Sequence, residues 1–365
     1  MAALPDVVSQ LAAAGLQVSV QSGAGVHALA PDAAYAQAGA EVVDSIEAAK
    51  VGVLLHVRPL PPATIAKLRP GAITVGFCAP SSELEGVRAL RDARVTAFAM
   101  ELVPRISRAQ SMDALTSQAL IAGYRCVLES AMRLPRFFPL FMTAAGTVPP
   151  AKVLVIGAGV AGLQAIATAK RLGAVVSGYD VRAASADEVR SMGGTFIHLD
   201  LESLEGAGGY AREMTEDRAQ RQRDLLAPHI ADADVLITTA AVPGRPAPLL
   251  VTGDMVAGMR AGSVIIDLAA ESGGNVQGSR PGEDLWVDGV GGEVRLVGMR
   301  DVASTMPVDA SRLYARNVAN LVLLMTRDGE VVPDFDDEVV AGTCLTHDGV
   351  VRHEPTAGLL EAGER

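Results

Sequence analysis

Short apolar runs alternate with amphipathic stretches near the amino-terminal end of the chain. The runs at residues 51–56, 73–77 and 95–98 predict strands, and the stretches at 62–68 and 82–92 between them predict helices. Strands that alternate with helices at a spacing of about 20 residues are typical of a parallel sheet. The pattern therefore indicates an α/β domain at the amino-terminal end.

A second series of the same kind follows. Residues 153–156 and 175–179 predict strands, with a helix at 160–172 between them, and a periodic apolar stretch from about 112 to 132 predicts one long helix before this series. We expect an α/β fold of two Rossmann-like, doubly wound parallel-sheet domains joined by that long helix. In the tail, Asp348-Gly349 predicts a hairpin.

The composition agrees with this fold class. Apolar residues make up 49% of the chain, aromatic residues only 4%, and 37 residues are glycine, as in parallel sheets buried under helices. The net charge of −11 would repel nucleic-acid phosphates and anionic lipids, so we expect neither as a direct partner. The three widely spaced cysteines fit neither a disulfide framework nor a zinc site. We expect no metal, and a reducing cytosol as the location.

No stretch predicts a membrane span or a secretory leader. The longest uncharged apolar run, at residues 153–169, has 17 residues and is interrupted by glycines, which is too short and too broken for a span. The first basic residue is Lys50, whereas a leader begins with positive charge. We therefore expect a protein that does not insert into the membrane.

A glycine-rich turn follows the strand at 153–156. Gly157 permits a tight turn, Gly159 allows a pyrophosphate to approach the backbone, and Gly162 allows the next helix to pack closely. Asp180 lies 18 residues beyond Gly162, at the end of the second strand. Its carboxylate can accept both ribose hydroxyls of NAD and would repel the 2′-phosphate of NADP. Arg182 is either a partner for such a phosphate or a solvated charge.

Two polar segments are candidates for function. Residues 104–116 crowd two arginines, a glutamine and hydroxyl side chains into one turn before the long helix, and Asp113 is placed to be the N-cap of that helix. The residues alone leave a binding loop and a solvated loop as equal alternatives. Residues 199–215 are polar and rich in glycine, so they form either a functional flap or a disordered connection.

Longer motifs point to one family. The chain closely resembles the soluble NAD(H)-binding alpha subunit, domain I, of proton-translocating NAD(P) transhydrogenases, and the resemblance rests on residues 104–113, 123–125, 143–150, 157–170, 208–214, 238–248 and 262–269. Alanine dehydrogenases of the same superfamily are similar in architecture but not in the first loop. The resemblance implies a first α/β domain of residues 1–118 plus 325–365, completed by the C-terminal segment. It implies an NAD(H)-binding Rossmann domain of residues 119–324, including the linking helix.

The resemblance also implies roles for single residues. It implies that a catalytic group of residues positions the nicotinamide ring, namely Arg105, Gln110, Asp113 and Thr116. Thr116 stands where the family usually has serine. It implies that NAD(H) contacts Arg105, Ile106, Ser107, Arg108, Gln110, Asp113, Gly157, Gly159, Val160, Gly162, Asp180, Val181, Arg182, Gly209, Tyr210, Gln222 and Ala241. The flap around Tyr210 is expected to close over the cofactor.

The activity implied by the resemblance is that of an oxidoreductase and translocase subunit. Hydride would pass from NADH on this chain to NADP⁺ on a beta subunit, coupled to proton translocation by a membrane-spanning alpha-type subunit. We expect a homodimer in the cytoplasm, peripheral at the inner face of the plasma membrane through its partners.

The sequence departs from the family at three places. Relatives begin with a further strand rich in Lys, Glu and Arg, they carry a proline where residues 301–303 here are Asp-Val-Ala, and they usually have lysine near His56. The missing strand reflects either a misplaced start or a real loss. The second departure puts any contact from that loop in doubt, and we interpret His56 as a structural residue at the end of a strand.

Two other functions are weighed against this one. An alanine dehydrogenase needs an acid/base histidine, and residues 76–80 contain none; Glu271 also stands where that family has aspartate. A non-catalytic NAD-binding regulator would not need Arg105, Gln110 and Asp113, which are intact.

Overall fold

The computed structural model describes residues 1–200, 216–241 and 244–363. The α-helices are, in chain order, α1 (Pro5–Ala13), α2 (Asp32–Gln37), α3 (Pro62–Ile65), α4 (Leu84–Asp92), α5 (Ala114–Arg133), α6 (Val160–Arg171), α7 (Ser185–Ser191), α8 (Glu216–Ala231), α9 (Gly253–Ala257), α10 (Pro307–Leu324), α11 (Glu338–Thr343) and α12 (Glu354–Gly363). The long helix predicted before the second series is α5, so that prediction is confirmed.

The strands begin with β1 (Ser19–Gln21), β2 (Glu41–Val43), β3 (Val53–Leu55), β4 (Ile73–Gly76), β5 (Thr96–Ala99), β6 (Phe141–Thr143), β7 (Gly146–Val148), β8 (Lys152–Ile156) and β9 (Val175–Tyr179). They continue with β10 (Thr195–Phe196), β11 (Val235–Thr238), β12 (Val264–Asp267), β13 (Asp284–Gly289), β14 (Gly292–Gly298), β15 (Thr326–Arg327), β16 (Glu330–Val331), β17 (Cys344–His347) and β18 (Val350–Val351).

The chain divides into two compact units. Unit 1 comprises residues 1–118 and 306–365, and unit 2 comprises residues 119–305. The sequence assigned residues 306–324 to the second domain, whereas the structure places them, as α10, in unit 1. Tyr314, Val318 and Val322 of α10 are buried with Val75 and Phe98 of the first sheet, and this burial explains the corrected boundary.

Unit 1 is built on a five-stranded sheet in the order β18-β17-β5-β4-β3. Strands β3, β4 and β5 are parallel, and β17 runs antiparallel to β5. The predicted tail hairpin is confirmed, because β17 and β18 pair through His347 and Val350 across a turn with positive φ at Asp348 and Gly349. Strands β1 and β2 form a separate parallel pair.

Unit 2 is built on a seven-stranded sheet in the order β10-β9-β8-β11-β12-β14-β13. Leaving β13 aside, the order is the 3-2-1-4-5-6 arrangement of dinucleotide-binding folds, in which ligands bind where the order reverses, here between β8 and β11. Strand β13 is antiparallel to β14. The α/β class is confirmed, but the expectation of purely parallel sheets is wrong, because both sheets carry hairpin-connected antiparallel strands at an edge.

Candidate functional site

The glycine turn lies at the reversal point of the second sheet. Gly157 follows β8 with φ of +99°, a conformation that favours glycine. A Cβ at Gly162 would lie 1.8 Å from the Gly157 carbonyl oxygen, whereas a Cβ at Gly159 would meet nothing within 4 Å. Gly162 therefore serves the packing of α6 on the turn, and Gly159 leaves open space at the helix N-terminus.

The first turn of α6 has no side-chain cap: Gly159 occupies the N-cap position. Backbone N–H groups at such an end, together with the helix dipole, attract anions. Val160, the first residue of the helix, is 39% exposed. This end of α6 could hold a pyrophosphate.

Asp180 follows β9, and its carboxylate is 8% exposed. One oxygen, Oδ2, accepts a hydrogen bond from the Ala158 N–H at 2.7 Å, and Oδ1 accepts one from the Arg182 N–H at 2.9 Å. The Arg182 guanidinium donates to the same carboxylate from Nε at 2.9 Å and from Nη2 at 3.0 Å. Asp180 thus ties the glycine turn to Arg182, and Arg182 is an ion-pair partner rather than a solvated charge.

A cavity opens beside Asp180, lined among others by Tyr179, Val181, Phe196, His198 and Gln222. Phe196 and His198 stack edge to face at 4.9 Å, and burial raises the pKa of Tyr179 to about 12. Gln222 is 2% exposed, and its Oε1 has no hydrogen-bond partner among the described residues. The lining also includes Arg218, so polar and apolar groups share this cavity. A cavity with aromatic walls and a buried acceptor can take a flat heterocycle that carries a donor.

The loop after β11 is fastened to the glycine turn. The Thr239 hydroxyl donates to the Gly157 carbonyl at 2.9 Å, and Asn275 bonds both the N–H and the carbonyl of Ala240, at 3.0 and 2.8 Å. Asp267 is fully buried and accepts bonds from Thr238 and from the Asn275 N–H, both at 3.0 Å. This network holds the backbone of Ala240, and the next residue, Ala241, is exposed.

Neither Asp267 nor Asn275 was identified as a site residue from the sequence. Burial raises the pKa of Asp267. The sequence does show an aspartate at the end of an apolar strand and an asparagine eight residues later. Which groups these side chains bond is determined by the fold and cannot be seen in the sequence.

The polar segment of unit 1 forms a 3-10 turn at Ser107–Met112. Asp113 accepts hydrogen bonds from the Thr116 N–H at 2.8 Å and from the Thr116 hydroxyl at 2.6 Å, which is the geometry of an N-cap for α5. The side chains of Arg105, Ser107 and Gln110 are exposed, and Ile106 is half-buried.

Arg108 behaves differently from its neighbours. Its guanidinium bonds both oxygens of Asp337 at 2.8 Å, and its Nε lies 3.4 Å from Glu338. The resemblance implies a cofactor contact for Arg108, and in the structure its guanidinium is paired with the N-cap residue of α11 while its side chain stays 45% exposed.

Two of the cofactor residues inferred from the resemblance, Gly209 and Tyr210, lie outside the described residues, as does most of the segment interpreted as a flap. Within residues 1–200, 216–241 and 244–363, no three His, Cys, Asp or Glu side chains come together in a group that could hold a metal ion. Among the same residues, no helix is both long and apolar enough to cross a membrane.

Comparison with known proteins gives matches over nearly the whole chain. Residues 1–122 match the family described as alanine dehydrogenase/PNT, N-terminal domain, and residues 126–354 match its C-terminal domain. An NAD(P) transhydrogenase alpha-subunit polypeptide of Rhodospirillum rubrum is 46% identical, with coverage of 97% of this chain and 94% of that protein.

A solved transhydrogenase structure from Sinorhizobium meliloti superposes with a TM-score of 0.84 at 43% identity, covering 97% of this chain and 95% of that one. An alanine dehydrogenase of Bacillus subtilis is 31% identical over 76% of this chain and 68% of its own length. The similarity to the transhydrogenase subunits is thus both higher and more complete.

Proposed function

The chain belongs to the alanine dehydrogenase/PNT family and within it is an alpha subunit of NAD(P) transhydrogenase type, and from this premise we propose that it binds NAD(H) at the reversal point of the second sheet. This proposal rests on three features that lie together: the N-terminus of α6 has no side-chain cap, there is open space at Gly159, and the carboxylate of Asp180 lies beside them. A pyrophosphate fits the first two, and ribose hydroxyls fit the third.

The cavity beside Asp180 fits the adenine end of this cofactor. Gln222 offers a buried acceptor that lacks a partner among the described residues, and the adenine amino group is a donor that can satisfy it. We propose four more contacts near this turn. Val181 lines the cavity, Val160 begins α6, Arg182 pairs with Asp180, and Ala241 follows Ala240 in the loop bonded to Asn275. Gly209 and Tyr210 are proposed as contacts on the resemblance alone.

On the resemblance alone, residues of the 3-10 turn Ser107–Met112 are proposed to position the nicotinamide ring. Arg105, Ile106, Ser107 and Gln110 offer the ring polar and apolar groups, with Asp113 and Thr116 fixing the start of α5. NADH supplies the hydride, which passes to the nicotinamide of NADP⁺ and leaves NAD⁺ and NADPH. The residues of this chain bind, orient and exclude water, because such transfer depends on the placement of donor and acceptor.

We further propose the assembly that such transfer requires: a homodimer of this chain, an NADP(H)-binding beta subunit, and a membrane-spanning alpha-type subunit that couples transfer to proton movement. The chain would lie at the inner face of the plasma membrane through these partners. Exposed apolar side chains on the hairpin β6–β7, Phe141 at 42% and Met142 at 76% exposure, offer a surface for association with another chain.

A calorimetric titration tests the binding proposal. The isolated chain should bind NADH and not NADPH, and it should gain hydride-transfer activity only when an NADP(H)-binding transhydrogenase subunit is added. Rapid reduction of NAD⁺ by alanine would instead favour the alanine dehydrogenase reaction. NADH binding without transfer in the reconstituted complex would favour a non-catalytic regulator.

A further inference from the structure

The 3-10 turn Ser107–Met112 is tied to the C-terminal segment by an ion pair. Arg108 donates from Nη1 and Nη2 to the two oxygens of Asp337, both at 2.8 Å, and approaches Glu338 at 3.4 Å. A bidentate arginine–carboxylate pair fixes orientation as well as distance. Asp337 is itself held, because its Oδ1 accepts bonds from Val339 and Val340 as the N-cap of α11.

A second tie holds the other end of the turn. The Ser111 carbonyl accepts two hydrogen bonds from α10, from Asn317 Nδ2 at 2.9 Å and from Asn320 Nδ2 at 3.0 Å. Carbonyls in the last turn of a helix lack partners within the helix, so these two amides satisfy a group that would otherwise depend on water. Asn317 also accepts a bond from the Ser117 hydroxyl at 2.7 Å, which aligns it with α5.

The two ties flank Gln110, one at Arg108 and one at Ser111. We propose that Asp337 and Asn320 are positioning residues for hydride transfer, which hold this turn and thereby set where Gln110 presents the nicotinamide ring. The inference rests on the proposed role of the turn. Arg108 then has a positioning role through Asp337, in addition to the cofactor contact that the resemblance implies for it.

The two ties should matter more for rate than for stability. The side chains of Arg108 and Asp337 are 45% and 25% exposed, and exposed ion pairs contribute little to folding. Hydride transfer, in contrast, responds steeply to small displacements of the donor. Removing one tie should therefore reduce the rate while the fold and the affinity for NADH remain.

The test uses two single variants and a matched control. Asp337→Asn keeps the oxygen that caps α11 and loses the charge. Asn320→Leu keeps the side-chain size and removes one of the two amide donors to the Ser111 carbonyl, while Asn317 remains. Asp334→Asn is the control, because it weakens the 2.8 Å pair with Arg327 in the same C-terminal segment. Each chain is combined with an NADP(H)-binding transhydrogenase subunit, and single-turnover transfer from NADH to an NADP⁺ analogue is followed by stopped flow, beside NADH titration of the chain alone.

We expect Asp337→Asn to transfer about tenfold more slowly than wild type and Asn320→Leu about threefold more slowly, because the Asn317 bond to Ser111 remains. NADH affinity should stay within about twofold in both variants, and the control should be unchanged. The double variant Arg108→Ala with Asp337→Asn should transfer no more slowly than Arg108→Ala alone, because both substitutions break the same ion pair. Unchanged rates in both single variants, or equal losses of rate and NADH affinity, would overturn the inference. Wild type that fails to bind NADH would overturn the proposed function itself, which the titration shows separately.

Discussion

His56 makes the stability of unit 1 sensitive to acid. It follows β3, is 8% exposed, and its Nδ1 lies 2.7 Å from the carbonyl oxygen of Arg58. Because a carbonyl only accepts, Nδ1 carries the proton and donates, which leaves Nε2 as the unprotonated nitrogen, buried and without a partner among the described residues. Burial disfavours a charge there and lowers the pKa of His56 to about 4.

The folded and the unfolded chain bind a proton at His56 at different pH values. An unfolded histidine has a pKa of about 6.5, so between this value and about 4 the unfolded chain binds a proton at His56 that the folded chain excludes. Stability therefore falls as pH falls through this window, by about 2 kcal/mol between pH 7 and pH 5. Burial raises the pKa of Glu101 and of Asp267, and these carboxyls act in the opposite sense because the folded chain holds their protons more tightly.

A comparison of variants separates these contributions. In His56→Asn, the amide nitrogen can still donate to the Arg58 carbonyl, but the side chain does not titrate. Urea unfolding at pH 7 and pH 5 should show wild type losing about 2 kcal/mol more than the variant over this step. His27→Asn, at an exposed position, controls for the general effect of removing a histidine. Equal pH dependence in wild type and His56→Asn would refute the assignment of a buried neutral imidazole.

Three further predictions concern the cofactor. Asp180→Ala should weaken NADH binding by roughly ten- to a hundredfold, since a hydrogen bond to a charged group contributes about 1.5 to 3 kcal/mol; equal wild-type affinity for NADH and NADPH by calorimetry would contradict the underlying argument. Gly159→Ala should leave thermal stability unchanged and weaken NADH binding. Gly162→Ala should lower the free energy of unfolding by about 3 kcal/mol, because its Cβ meets the Gly157 carbonyl. Equal thermal unfolding midpoints in these two variants would contradict this. Gln110→Asn should slow transfer on the order of a hundredfold at unchanged NADH affinity, and stopped flow that finds the wild-type rate would remove Gln110 from the mechanism.

Local features were predictable from the sequence because their causes are local. The glycine turn at Gly157 and the carboxylate of Asp180 follow directly from strand ends, and an N-cap such as Asp113 acts within three residues of its own position. Periodicity likewise located α5 and α6 to within a few residues. Each of these depends on neighbours in the chain, which a single sequence displays.

Features that depend on distant partners were not predictable in this way. The pattern of α10 shows an apolar face but not which sheet covers it, so residues 306–324 were assigned to the wrong side of the boundary. The direction of β13 is set by its short turn into β14, and a strand pattern is the same in either direction. The partner of Arg108 is 229 residues away, and the charge of an arginine alone does not distinguish a phosphate from a carboxylate.

The boundary observed in the structure changes how the 3-10 turn Ser107–Met112 is understood. Once α10 joins α11 in unit 1, the carboxy-terminal segment does more than complete a sheet through β17 and β18. Two amides of α10 bond the Ser111 carbonyl of the turn, and the N-cap residue of α11 pairs with Arg108. A turn held from outside can present exposed side chains in fixed positions, which transfer between two cofactors requires. Changes at Asn320 and Asp337 should therefore alter the transfer rate although neither residue need touch the cofactor.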